Sequence, residues 1–148
     1  MRFDTARISS EAIPAGVVTV NDAMLAALYW RREPYAVFFP LGIALSWAGV
    51  GRWLVFAFAN RPEDDLGVYI FHSITQIQGF LLCFAIGFLF TMIPRRTGTP
   101  PPATWEMVVA LAAPILTVVS AWQQWWMLSQ VVWIVVCVLL VSFVAARF

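Results

Sequence analysis

His72 is the only histidine in the chain, and it opens a polar run, His72-Ser73-Ile74-Thr75-Gln76-Ile77-Gln78-Gly79, set within an otherwise apolar segment. A neutral imidazole nitrogen can serve as axial ligand to a metal or to the iron of a tetrapyrrole. At 3.6 residues per turn, His72, Thr75, Gln76, Gly79 and Cys83 share one stripe of a helix. Polar groups placed in a membrane helix cost free energy unless each has a partner or a function. The plainer reading of His72 is a bond to a neighbouring helix or to interfacial water. One histidine cannot supply bis-histidine haem ligation or a multi-histidine copper site. Met24, Met92, Met107 and Met127 lack the spacing of a second ligand. A tightly held metal would therefore need ligands from another chain, or an open coordination position.

The element that carries this run must lie in a bilayer. Of 148 residues, 61% are hydrophobic and 11% charged, and the mean hydropathy is +0.81. Soluble domains sit near half apolar and a quarter charged. The formal net charge is +1, and all nine basic residues are arginines, so no basic surface exists for nucleic acid. A membrane chain of this length forms one small all-α domain, with no room for a separate soluble catalytic domain. Cys83 and Cys137 lie inside apolar segments with neither zinc nor haem-attachment spacing, and read as small apolar residues without a disulfide.

Residues 1–33 are expected to form a cytoplasmic N-terminal segment without a signal peptide. Within it, Asn21 can cap a short interfacial amphipathic helix whose Met24, Leu25, Leu28 and Tyr29 share a face. Residues 34–148 then form a four-helix transmembrane domain, with spans predicted at about 35–59, 66–93, 103–122 and 126–146. The short linkers impose an up-down antiparallel order. Arg31, Arg32, Arg95, Arg96 and Arg147 then share one side, and the acidic Glu63-Asp64-Asp65 cluster lies on the other. The positive-inside rule makes the arginine side cytoplasmic, with both termini there, in a multi-pass membrane protein. Trp122, Trp125 and Trp126 mark the outer interface, and Trp30 and Trp105 the inner one.

Arg52, inside the first span, is expected to snorkel outward and pair with Asp64 or Asp65; a contact with a ligand carboxylate is the sharper alternative. In the second span, Thr75, Gly79, Cys83, Gly87 and Thr91 repeat at spacing four. Such a ladder of small residues admits another helix, or a flat cofactor, close to the backbone, and helix contact is the default reading. Glu106 reads as a charge in the first turn of the third span rather than a catalytic acid. No hydrolase elbow, phosphate loop or paired membrane carboxylate is present.

Taken together, Pro34-Tyr35-x-x-Phe38-Phe39, His72 followed by Gly79-Phe80, and Gly87-Phe88-Leu89-Phe90-Thr91-x-x-Pro94-x-x-Thr97-Gly98-x-Pro100-Pro101 resemble the N-terminal part of the NnrS family. These are bacterial multi-spanning membrane proteins associated with haem and copper and with responses to nitric oxide and denitrification. The resemblance covers roughly Pro34 to Pro102; the last two helices agree only in hydrophobic pattern. It implies haem, with copper behind it, as cofactor, His72 as axial ligand and Gln76 as a neighbouring donor that tunes the site. The family's second span carries His-x-His-Glu, where this chain has Ile74 and Thr75 after His72, so half of that ligand set is replaced. Family members also run to about a dozen helices. The chain is therefore expected to be a fragment, a truncated paralogue or a small subunit of such a protein. The leading expectation is a non-catalytic accessory subunit of a larger bacterial membrane complex for respiratory or photosynthetic electron transfer, contacting lipid, other membrane subunits and, within a complex, pigment. The alternative is a haem-binding protein of the nitric oxide response. Neither names a small-molecule substrate.

Overall fold

The computed structural model describes residues 29–59 and 65–148. All regular structure among them is helical, and four helices are long and apolar enough to cross a membrane: Tyr35–Ala59, Leu66–Thr97, Thr104–Trp122 and Trp126–Ala145. The chain is an all-α membrane protein. Asn21, Met24, Leu25 and Leu28 of the expected interfacial helix lie outside the described residues; helix is present over 29–32, just before the first span.

Helix α1 covers Tyr35–Ala59. The second span is a broken rod: α2 over Asp65–Ile74, a π-helical turn over Thr75–Leu81, and α3 over Leu82–Thr97. It continues a turn beyond the 66–93 read from hydropathy, because Pro94 falls near the helix end without stopping it, and Gly98 in the left-handed conformation (φ 68°) closes the last turn. Helix α4 spans Thr104–Trp122 and α5 spans Trp126–Ala145.

The turn between α4 and α5 is a Schellman motif. The Trp125 N–H reaches the Ser120 carbonyl at 2.8 Å and the Gln124 N–H reaches Ala121 at 3.1 Å. Gln124 takes the left-handed position, at φ 62°, where glycine is usual. At the start of α4, Glu106 accepts the Ala103 N–H at 2.6 Å. That is the carboxylate half of a capping box, since Ala103 has no side-chain acceptor to return the bond.

Each helix packs chiefly on its chain neighbour: α1 lies along the whole broken rod, α4 pairs with α5, and the π turn and α2 join the two halves through α4. The principal core gathers Phe38, Cys83, Ile86, Phe90, Met107, Ala110, Val136 and Phe143. Phe90 meets Phe38 edge-on at 6.3 Å and Phe143 at 4.3 Å. A smaller core of Phe71, Ile74, Val118 and Ala121 lies toward the other end. Lipid offers no hydrophobic drive for helices to associate, so close fit and interhelical hydrogen bonds must hold this bundle.

Candidate functional site

The small-residue ladder of the rod is a seam for α1. Thr75, Gly79, Cys83, Gly87 and Thr91 are all buried. A side chain at Gly87 would press on Phe38 and Phe39, at 3.1 and 3.0 Å, and one at Gly79 would press on Leu45 at 3.2 Å. The facing helix answers with small residues of its own. A Cβ on Gly42 would lie 3.0 Å from the Cys83 Cβ, and one on Gly49 would overlap the Thr75 hydroxyl. Gly42, Ser46 and Gly49 stand four and three residues apart, a small-residue spacing that the sequence carries on α1. The ladder therefore binds a helix of the same chain.

The π turn sets the directions of the polar side chains. Wider turns of this kind are rare and often accompany functional positions. Here the Leu82 N–H reaches back five residues to Ile77, and the Thr75 hydroxyl bonds the His72 carbonyl at 2.8 Å. Gln76 and Gln78, two residues apart, address different helices. Gln76 Oε1 accepts the Ser46 hydroxyl at 2.9 Å, and its Nε2 donates to the Ser46 carbonyl at 3.1 Å. Gln78 Nε2 donates to Gln130 Oε1 on α5 at 3.0 Å.

His72 is different. Its ring is half-buried at the end of α2, and its Nδ1 is buried without a hydrogen-bond partner. Gln76 does not share a free site with it, because both ends of that amide are closed on Ser46. No group of three or more His, Cys, Asp or Glu side chains placed to hold a metal occurs among the described residues. Cys83 and Cys137 are free thiols, the first buried against α1 and the second half-buried on α5. His72 therefore belongs to no such cluster among the described residues.

Arg52 meets aromatic rings. Its guanidinium carbon lies 4.9 Å from the Phe71 ring centre and 4.8 Å from that of Trp122, and those rings meet edge-on at 5.3 Å. Cation–π attraction over two rings holds a charge at this depth and links α1, α2 and α4. The Asp64 and Asp65 side chains lie outside the described residues.

The opposite end carries the arginines. Arg95 pairs with Glu33 at 2.6 Å, and Arg31 Nε donates to the Pro102 carbonyl at 3.0 Å. Arg147 stacks over Phe143 at 3.6 Å and reaches Glu106 at 3.4 Å. Glu106 is therefore held as a helix-start acceptor and a counter-charge, the structural role its position suggests. Between Arg31, Arg32, Glu33 and Arg95 opens a cleft of about 290 Å³ floored by Phe90, Pro94 and Pro101.

No curated protein and no solved structure matches the chain. A family model described as NnrS protein matches residues 29–148, which takes in all four spans and extends beyond the stretch where the sequence resemblance was visible. The small-residue seam, the polar π turn and the arginine-bearing end are thus features of a member of the NnrS family.

Proposed function

We propose that this protein acts in the setting of its family, the bacterial response to nitric oxide, as a haem-associated membrane protein to which it contributes His72 as one axial ligand. The observation that carries the reading is the inequality along the polar stripe. Thr75 and Gln76 spend their side-chain polar groups within the bundle, whereas His72, on the same stripe, keeps a buried Nδ1 without a hydrogen-bond partner. An unsatisfied imidazole nitrogen in a membrane span calls for a partner from beyond these four helices. The residues present fit haem as a single ligand, not as a pocket. The remaining coordination and the walls of the site belong to another chain or to further helices. When bound, haem would supply an iron able to take a small diatomic ligand. The protein's own part is to hold the His72 backbone, through Thr75, on a rod that Gln76 fastens to α1.

A second reading has its own support. The outer face of α1 exposes Trp47, Trp53, Leu54, Val55 and Phe58, and the family's companion histidine and glutamate are replaced by Ile74 and Thr75. Both features suit a non-catalytic accessory subunit in which His72 bonds a partner helix within a larger membrane complex. In either reading the arginine-bearing end faces the cytoplasm, by the positive-inside rule.

Absorption spectroscopy of protein purified from its own membrane separates the two. A Soret band present in the native chain and absent in His72→Ala is the expected result. A chromophore-free protein that co-purifies stably with other membrane subunits overturns haem ligation and leaves the accessory role standing.

A further inference from the structure

We propose that the cleft at the arginine end is a binding site for the headgroup of an anionic phospholipid, with phosphate as the recognised group. Three guanidinium groups, Arg31, Arg32 and Arg95, face one carboxylate, Glu33, across a cleft of about 290 Å³. Four charged groups with three positive and one negative leave the cleft at +2. Arg95 and Glu33 neutralise one another at 2.6 Å, so the surplus belongs to Arg31 and Arg32. Arg31 is fixed by its Nε bond to the Pro102 carbonyl. Only one of its five N–H donors is spent there. A pre-positioned guanidinium is suited to the paired oxygens of a phosphate.

The floor argues for a lipid over a soluble anion. Beside Thr91 and Thr99, the lining includes Phe90, Pro94 and Pro101, which present carbon under the charged groups and suit the glycerol backbone and first acyl carbons of a lipid. Basic pockets between membrane helices at the positively charged side hold anionic headgroups on this principle. Glu33 narrows the choice further. Its Oε2 is buried without a hydrogen bond of good geometry, although the Tyr35 phenol lies close to the same carboxylate, and a hydroxylated headgroup such as phosphatidylglycerol can donate to it while its phosphate meets Arg31 and Arg32. Phosphatidic acid has no such hydroxyl. The inference is independent of the haem reading, since His72 lies at the other end of the rod.

Native mass spectrometry of the full chain in detergent tests this with phosphatidylglycerol, phosphatidic acid, phosphatidylcholine and inorganic phosphate offered at equal concentration. Phosphatidylglycerol is expected to be retained most, and inorganic phosphate not to displace it. Arg32→Gln, at an exposed position, should lower retention about fivefold, and Arg31→Gln by a similar factor. Arg96→Gln, an equal loss of charge outside the cleft, should leave it unchanged. Glu33→Gln should bring the preference for phosphatidylglycerol over phosphatidic acid down toward one. Equal loss in Arg32→Gln and Arg96→Gln would mean a diffuse surface charge and would overturn the site. Displacement by inorganic phosphate would reassign the cleft to a free anion and overturn the lipid.

Discussion

Gln76 and Ser46 exchange two hydrogen bonds across the α1 seam, hydroxyl to amide oxygen at 2.9 Å and amide nitrogen to backbone carbonyl at 3.1 Å. One residue of α1 thus satisfies both ends of a polar side chain in the middle of a membrane span. Interhelical bonds of this kind contribute about 0.6 kcal/mol on average in membrane proteins and up to about 1.7. Gln76→Ala is expected to cost about 1–2 kcal/mol, because it also leaves the Ser46 hydroxyl without its acceptor. Ser46→Ala alone should cost less, since the backbone carbonyl remains. A double-mutant cycle by denaturant unfolding in micelles should return a coupling near 0.5–1 kcal/mol. Additive effects would show that the two bonds do not hold the seam.

Gly49 tests the steric fit of the same seam. A Cβ there overlaps the Thr75 hydroxyl, whereas Gly51, two residues on, has open space around it. Gly49→Ala should destabilise by about 1–3 kcal/mol through forced separation of α1 from the π turn. Gly51→Ala should be neutral or stabilising by a few tenths of a kcal/mol, because alanine is the better helix former. Thermal unfolding in one detergent compares them directly. Equal melting temperatures would show that α1 can slide off the ladder at no cost.

Four spans were readable from the sequence because a bilayer demands runs of about 20 apolar residues, and Tyr35–Ala59 and Trp126–Ala145 supply them with few interruptions. The ladder from Thr75 to Thr91 was readable for the same kind of reason, since spacing four is a helix repeat. The π turn was not. One extra residue in a turn leaves no mark on side-chain types, and it shifts the register by which Gln76 and Gln78 reach α1 and α5. His72 and Gln76 looked like a pair because they share a stripe. Only the placement of Ser46, thirty residues away, decides that Gln76 is spent. The two rings beneath Arg52 depend on how three helices meet, which spacing along one helix cannot report.

Gln78 and Gln130 offer a contrast between losing one partner and losing both. Their 3.0 Å bond joins the π turn to α5, and Gln78 Oε1 is buried with no donor. Gln130→Leu should cost about 1–2 kcal/mol by leaving Gln78 Nε2 unpaired as well. Adding Gln78→Leu should recover most of that loss, since two apolar chains of similar shape fit a buried contact in lipid. Unfolding of the single and double variants in micelles checks the order. A double variant weaker than either single would mean that the amide pair specifies the packing of the π turn.

Glu106 carries two duties at the start of α4: it accepts the Ala103 N–H at 2.6 Å and faces Arg147 at 3.4 Å. Glu106→Gln keeps an acceptor for the cap but removes the charge opposite a guanidinium whose side chain is 13% exposed. Breaking one side of such a pair costs more than the pair itself contributes. A loss of about 1–2 kcal/mol is expected, discounted from deeper sites because the pair is not fully enclosed. Glu106→Gln combined with Arg147→Met should recover part of it. If Glu106→Gln unfolds like the native chain, the pair is held by the cation–π contact of Arg147 with Phe143 alone.

Gln124 occupies a left-handed position at φ 62° in the Schellman turn between α4 and α5. A side chain in that region is held against steric repulsion of about 1–2 kcal/mol, which glycine does not meet. Glycine in exchange loses more backbone entropy on folding. The balance favours Gln124→Gly by about 0.5–1 kcal/mol, and Gln123→Gly, at the preceding position with φ −80°, should instead destabilise by a few tenths. The turn fixes the α4–α5 hairpin, so the gain should appear as slower unfolding in micelles, with helix content by circular dichroism unchanged. A destabilised Gln124→Gly would mean that the exposed Gln124 side chain makes a contact at the membrane surface worth more than the strain it carries.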